Sequence, residues 1–147
     1  MGDFSKAKKY SCLLMFALPA MLSNTATWAM PPGNRVIKEC WDQNKSHIEE
    51  VECLAAIRNQ LREDMKKAYD EAMAKARKQD SDMKRAGSKT LIKAEQLLAS
   101  SQDAFEGFFT DECARQAYHA MGGTAGADYG LACEIGLLRY RIEQLSE

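Results

Sequence analysis

Residues 113–133 read CARQAYHAMGGTAGADYGLAC, and this stretch decides the fold that we predict. Cysteines stand at both of its ends, so that Cys113 and Cys133 each lie ten residues from Gly123. The glycine pair at the centre is suited to end a helix, and Asp128 is a good N-cap residue for the next one. The stretch therefore predicts a helical hairpin centred on Gly123, in which the two cysteines face each other at the same height.

Apolar residues at spacings of three and four predict the two helices of this hairpin. The first of the two runs from about Ser88 to Met121, and its buried side is Leu91, Ala94, Leu98, Phe105, Phe108 and Ala117. The other begins near Asp128 and carries Leu131, Ile135, Leu138, Ile142 and Leu145.

A longer helix is predicted to precede the hairpin. It begins at the capping box Ser46-His47-Ile48-Glu49, where a hydroxyl and a carboxylate each satisfy a free backbone N–H. Its apolar stripe is Leu54, Ile57, Leu61, Met65, Ala68, Ala72 and Ala76. Gly87 is its predicted end, and 79–82 is an alternative end.

Residues 30–45 are predicted to be an extended leader, because Pro31-Pro32-Gly33-Asn34 cannot start a helix. No stretch alternates between polar and apolar over more than a few residues. The prediction is an all-α, disulfide-stapled antiparallel bundle of about three helices, with the helical domain at 46–147.

The composition and net charge of the chain argue against some classes of function. The chain has 147 residues, of which 46% are hydrophobic and 28% charged, which is typical of one foldable domain. Twenty basic and 21 acidic residues leave a formal net charge of −1. This balance argues against a nucleic-acid binder held by a strongly basic face.

Residues 1–29 have the three-part layout of a secretory signal peptide. Lys6, Lys8 and Lys9 precede an apolar core at 12–22, and Thr27-Trp28-Ala29 form a small-x-small exit. We predict cleavage after Ala29, with cleavage after Ala26 as the alternative. An uncleaved anchor or a buried helix is the other interpretation, but the apolar core is about half of the roughly 20 residues that a membrane-spanning helix needs. The mature protein is thus predicted to be periplasmic or secreted and not membrane-spanning.

Removal of the signal peptide discards Cys12 and leaves four of the five cysteines, an even number in a compartment where disulfides persist. The hairpin geometry favours the pair Cys113–Cys133, and Cys40–Cys53 would then tie the leader to the start of the long helix. The two other pairings stay open, because sequence alone cannot choose among the three. We predict no metal site, because there is no C-x-x-C motif and neither histidine has a second ligand at metal spacing.

No active-site motif is recognisable, so we predict neither an enzyme nor a cofactor. Of the two histidines, His47 sits inside the capping box as a solvated first-turn residue, and His119 lies near a helix end, where a cation suits the helix dipole. Neither has the context of a metalloprotease, hydrolase or phosphate-binding motif. A pair of glycosidase-type carboxylates, which can be far apart in sequence, is the alternative.

The cysteine framework and its neighbours resemble the LprI family of lysozyme inhibitors over about residues 40–145. The first block is Cys40, Cys53 and the Y-x-x-A motif at Tyr69 and Ala72. The second block consists of Gln102, Phe105, Phe108, Asp111, Cys113, Gly122-Gly123-Thr124, Cys133 and the R-I-x-x-L motif from Arg141 to Leu145. The family usually has Trp where Phe105 stands, and Arg-Asp where this chain has Phe109-Thr110.

This resemblance implies a small, secreted or periplasmic helical protein that binds a lysozyme or another wall-degrading glycosidase and blocks it. We predict that the glycine-rich loop makes the contact, with Tyr129 as an anchor and Asp128 facing a basic partner; the candidate binding residues are Gly122, Gly123, Thr124, Asp128 and Tyr129. The alternative is that the two glycines only end a helix, Asp128 caps the next and Tyr129 packs. Alternative functions are an envelope interaction protein and an immunity protein without lysozyme inhibition.

Overall fold

The computed structural model describes residues 34–90, 92–120, 123 and 125–147, so the predicted signal peptide lies outside the described residues, as do Gly122 and Thr124. The described chain forms four helices and no strand: α1 (Asn34–Gln43), α2 (His47–Arg85), α3 (Ala94–His119) and α4 (Ala125–Ser146). The predicted all-α class is confirmed, with one helix more than the three expected.

The additional helix, α1, stands where we predicted an extended leader, and that prediction was wrong for residues 34–43. Val36 and Cys40, four positions apart, are both buried and pack in a cluster with Leu54, Ala132 and Ile135. No proline follows Pro32 within residues 34–43, and the apolar spacing there suits one helical face. A helix of ten residues is too short to be stable alone, so this packing maintains it.

Helix α2 begins and ends close to the predicted positions. Ser46 Oγ accepts the backbone N–H of Glu49 at 3.3 Å, as the capping box requires. The Glu49 carboxylate accepts the N–H of Lys45 at 2.8 Å, one residue earlier than in the standard motif. At the other end Gly87 has a φ of +75°, a left-handed conformation that glycine adopts without steric cost.

Helix α3 begins six residues later than Ser88, the predicted start. Its free N-terminal N–H groups are capped from α2, because Asp80 accepts from Ala94 N at 2.8 Å and from Glu95 N at 3.2 Å. The cap is therefore a tertiary contact between residues 14 and 15 positions apart, which a search for local capping residues does not find.

Ion pairs between the helices define their directions. Arg62 contacts Glu106 at 3.1 Å and Arg77 contacts Glu95 at 2.8 Å, so α2 and α3 run antiparallel. Helices α3 and α4 form the predicted hairpin. The start of α4 consequently lies beside the start of α2, and these two helices run parallel.

The core lies along α4, which packs against all three other helices. One cluster joins α2, α3 and α4 and contains Met65, Phe109, Cys113, Cys133, Leu137, Leu138 and Leu145. Close approach of α4 to α3 depends on two glycines: a Cβ at Gly126 would lie 3.2 Å from the Ala117 carbonyl oxygen, and one at Gly130 would lie 3.3 Å from the Ala117 Cβ. Among the described residues, no helix is long and apolar enough to cross a membrane.

Two disulfides brace the bundle. Cys40 is bonded to Cys53, with their Cα atoms 5.8 Å apart, and ties α1 to α2. Cys113 is bonded to Cys133, with a Cα separation of 5.4 Å, and ties α3 to α4. These are the two pairs that the hairpin geometry favoured.

Candidate functional site

The predicted binding residues separate into an exposed and a buried group. Tyr129 is 42% exposed and Gly123 is exposed, as a contact surface requires. Asp128 is only 6% exposed and lies in the first turn of α4. The prediction that Asp128 caps the helix was therefore wrong, whereas its contact with a basic partner stays a prediction. The helix already begins at Ala125, and Asp128 points between α2 and α4.

A surface pocket lies where α1 and the first turns of α2 and α4 meet, with a volume of about 470 Å³. The first turns of α2 and α4 lie side by side because those helices are parallel, and the Cys40–Cys53 disulfide holds α1 across them. The pocket is lined by Ile37, Lys38, Trp41, His47, Glu50, Ala125, Asp128 and Tyr129.

Two buried carboxylates and an imidazole meet on the inner side of this pocket. His47 Nε2 lies 2.9 Å from Asp128 Oδ2, so that the imidazole donates to the carboxylate across 81 residues of sequence. Glu50, 2% exposed, stands one helical turn after His47. Single side-chain ligand atoms of the three residues lie within 4.8 Å of one another. Oδ1 of Asp128 is buried and has no hydrogen-bond partner among the described residues.

The pKa values of this cluster reflect two carboxylates that share one histidine. Burial raises the pKa of Glu50, and the negative charge of Asp128 raises it further. The hydrogen bond to Asp128 raises the pKa of His47, so the charged imidazolium is favoured beside the carboxylates. The interpretation of His47 as a solvated first-turn residue was incomplete, because its ring is half-buried and joins α2 to α4.

The outer rim of the pocket is aromatic. Trp41 is 56% exposed and Tyr129 is 42% exposed, and they line the pocket from α1 and α4. Tyr129 also lines a second, smaller pocket of about 410 Å³ with His119. Tyr118, which precedes His119 in the chain, is 85% exposed, more than any other large hydrophobic residue that the structure describes. These side chains place an aromatic surface at one end of the bundle.

A family model described as lysozyme inhibitor LprI matches residues 40–145. The chain belongs to the LprI family. The match includes both disulfides and most of the described helices. Among curated proteins and among solved structures, no significant match was found.

The LprI motif residues of the second block have structural contacts in this chain. Arg141 is buried; its Nε donates to Gln102 Oε1 at 3.0 Å, and its guanidinium lies 5.4 Å from the centre of the Phe105 ring. Phe109, at the position where the family usually has Arg, is a core residue that packs against Phe105 and lies under the guanidinium of Arg62. These residues lie away from the aromatic pocket and hold α3 and α4 together.

The pocket that contains His47, Glu50 and Asp128 was not predicted from the sequence, because its residues come from separate helices. The i, i+3 spacing of His47 and Glu50 on a predicted helix was a local signal that two ligand-type side chains share a face. Asp128 could not be joined to them from the sequence, because its position beside α2 depends on the parallel packing of α2 and α4. Trp41 was not predicted to line a pocket, because residues 30–45 were predicted to be extended.

Proposed function

We propose that the protein binds a lysozyme or another cell-wall-degrading glycosidase outside the cytoplasm and blocks it. Membership of the LprI family and the two disulfides, which point to an extracytoplasmic protein, support this function. In the proposal the protein acts by binding and not by catalysis, because its sequence contains no recognisable catalytic motif.

The observation that carries the proposal is the exposed aromatic pair Trp41 and Tyr129 on a disulfide-braced platform. Aromatic side chains supply large contact areas at low cost in conformational entropy and are enriched among the residues that dominate binding energy. Helices that are already ordered lose little further entropy on binding. Gly122, Gly123 and Thr124 precede Tyr129 by five to seven positions in the sequence and remain part of the proposed contact surface.

The proposal also includes export, with residues 1–29 removed as a signal peptide. The lysine-rich start, the apolar core and the small-x-small exit support it. Loss of three lysines and one aspartate leaves the mature chain more acidic, which favours association with basic enzymes.

A cell-wall clearing assay tests the inhibition. The purified oxidised protein is expected to slow lysis of cell walls by a lysozyme, and Trp41→Ala and Tyr129→Ala are each expected to weaken the inhibition more than about tenfold. Phe108→Ala is the matched control, because Phe108 is also an exposed aromatic residue but does not line the pocket. It is expected to inhibit as well as the wild type.

Two outcomes would contradict the proposal. If the oxidised wild type slows none of a panel of lysozymes, inhibition is ruled out as its function. The envelope-interaction and immunity functions would then remain, and a pull-down from an envelope extract tests them. Equal losses in Trp41→Ala, Tyr129→Ala and Phe108→Ala would remove the aromatic pocket as the binding surface.

A further inference from the structure

Contrary to the prediction of no metal site from the sequence, we propose that His47, Glu50 and Asp128 form a binding site for a divalent transition-metal ion, with Zn²⁺ as the best-suited ion. The three side chains come from the first turns of α2 and α4 and line one pocket. Their ligand atoms already lie within 4.8 Å of one another. The site lies on the inner side of the pocket whose rim carries Trp41 and Tyr129, and metal binding there does not require that a partner binds to the rim.

The donor set fits zinc. One imidazole nitrogen and two carboxylates are ligands that Zn²⁺ accepts, commonly three from the protein with a water or another ligand in the fourth position. Magnesium and calcium prefer sets made of oxygen alone, so the imidazole selects against them. The pocket is open to solvent and has a volume of about 470 Å³, which leaves room for a fourth ligand.

The two buried carboxylates of Glu50 and Asp128 favour the binding of a cation. Glu50 and Asp128 are both more than nine-tenths buried, and a buried carboxylate is costly unless it is paired or coordinates a metal. His47 offers at most one positive charge to the two. Lys38 also lines the pocket, but its Nζ is paired with Asp42.

The unpaired oxygen of Asp128 also indicates a metal ion as the ligand of this pocket. Oδ1 of Asp128 is buried without a hydrogen-bond partner among the described residues, and the Glu50 side chain beside it is 2% exposed. Both side chains line the pocket, so their carboxylate oxygens are available from within it. A metal ion would bind both carboxylates at once, whereas the single His47 N–H satisfies only Oδ2 of Asp128.

Only a small rearrangement is required. Ligand atoms around a tetrahedral zinc are about 3.4 Å apart, which follows from bonds of roughly 2.0–2.2 Å. His47 Nε2 would give up its proton and its 2.9 Å hydrogen bond to Asp128 for a bond to the metal. The His47 ring is partly exposed and Glu50 lies one turn away on the same helix, so side-chain rotations bring the atoms to this spacing.

Zinc titration of the metal-free protein tests the proposal. The exported, oxidised protein is stripped with EDTA, dialysed and titrated with zinc chloride by calorimetry, and thermal unfolding is followed with and without zinc. We expect one ion per chain with micromolar or tighter affinity, a higher Tm with zinc, and no comparable effect of magnesium. In ¹⁵N NMR the imidazole signals of His47, and not those of His119, should shift.

Variants separate the site from general surface binding. Glu50→Gln and Asp128→Asn should each weaken zinc binding more than tenfold, whereas Glu52→Gln, an exposed residue two positions along α2, should bind as the wild type does. Glu50→Gln removes a buried like charge, so it should fold without metal even if Asp128→Asn does not. Equal zinc affinity in Glu50→Gln and Glu52→Gln, a shift at His119 alone, or no binding at micromolar zinc would each overturn the site.

Discussion

At the scale of single residues, Arg141 shows how a motif residue of the family acts as a structural one. Its guanidinium donates to Gln102 on α3, to Ser101 Oγ at 3.1 Å and to Gln144 Oε1 at 3.3 Å. Five donors in a planar fork suit several acceptors at once. Because Arg141 is buried and its hydrogen bonds to Gln102 and Ser101 join α4 to α3, it stabilises the packing of these two helices and is not available to a partner.

We expect Arg141→Ala to lower the free energy of unfolding by about 2–3 kcal/mol, because it leaves buried polar groups without partners and removes the contact with Phe105. Urea denaturation followed by circular dichroism measures the loss. Arg139→Ala is the control, since Arg139 is exposed on the same helix, and it should change the free energy by less than about 0.5 kcal/mol. Equal effects of the two variants would disprove the structural role of Arg141.

The pH dependence of stability can be predicted at Glu112. Hydrogen bonds from Arg115 Nε at 2.8 Å and Gln116 at 2.9 Å lower the pKa of Glu112 from its ordinary 4.5 to about 2. A carboxyl pKa that is lower in the folded state stabilises that state above pH 4.5, and this contribution disappears as the pH falls toward 2.

Glu112→Gln should therefore lower the Tm at pH 7 slightly and lose its effect near pH 2. Thermal unfolding of wild type and variant between these pH values measures the difference. A decrease in Tm that stays constant down to pH 2 would mean that the substitution acts through packing and not through charge.

At the scale of the helices, the glycines of α4 decide how closely it approaches α3. The prediction of a loop for the glycine-rich stretch was wrong for residues 125–130, which are helical. Gly126 and Gly130 face Ala117, where a Cβ would meet α3 at 3.2 and 3.3 Å. A Cβ added at Gly136, on the same helix, would have no neighbouring atom within 4 Å. Only the first two glycines are thus required by packing.

Gly126→Ala and Gly136→Ala should have opposite effects. The Gly126 variant should lower the free energy of unfolding by about 1–3 kcal/mol, because its Cβ presses on a backbone oxygen that cannot rotate away. The Gly136 variant should raise it by roughly 0.5–1 kcal/mol, because alanine restricts the unfolded chain and favours helix. Denaturant titrations of both variants measure this, and a Gly126→Ala protein as stable as Gly136→Ala would contradict the close-packing argument.

At the scale of the whole molecule, each disulfide ties one pair of helices, α1 to α2 and α3 to α4, so every described helix is held by one disulfide. Cys40–Cys53 spans 13 positions and Cys113–Cys133 spans 20. In the chain-entropy account each closure contributes about 3 kcal/mol, a large share of the roughly 5–15 kcal/mol by which a domain is stable. Reduction of the two disulfides is therefore expected to lower the stability of the fold.

Intact mass spectrometry of the exported protein should give the mass of residues 30–147 with two disulfides, and alkylation without reduction should add nothing, because all four remaining cysteines are paired. A mass that includes residues 1–29, or alkylation of any of the four cysteines, would contradict export with oxidation. A start at residue 27 would support the alternative cleavage site.

The sequence by itself determined the class of fold and the hairpin with its favoured disulfide, because helix periodicity, caps and cysteine spacing are local signals between residues a few positions apart. The LprI assignment rested on the order of the same residues. Only the tertiary structure decided that α1 is a helix, that Asp80 caps α3 and that Asp128 turns inward to His47. Each of these depends on contacts between elements distant in the chain, whose free energy comes from packing that no local pattern encodes.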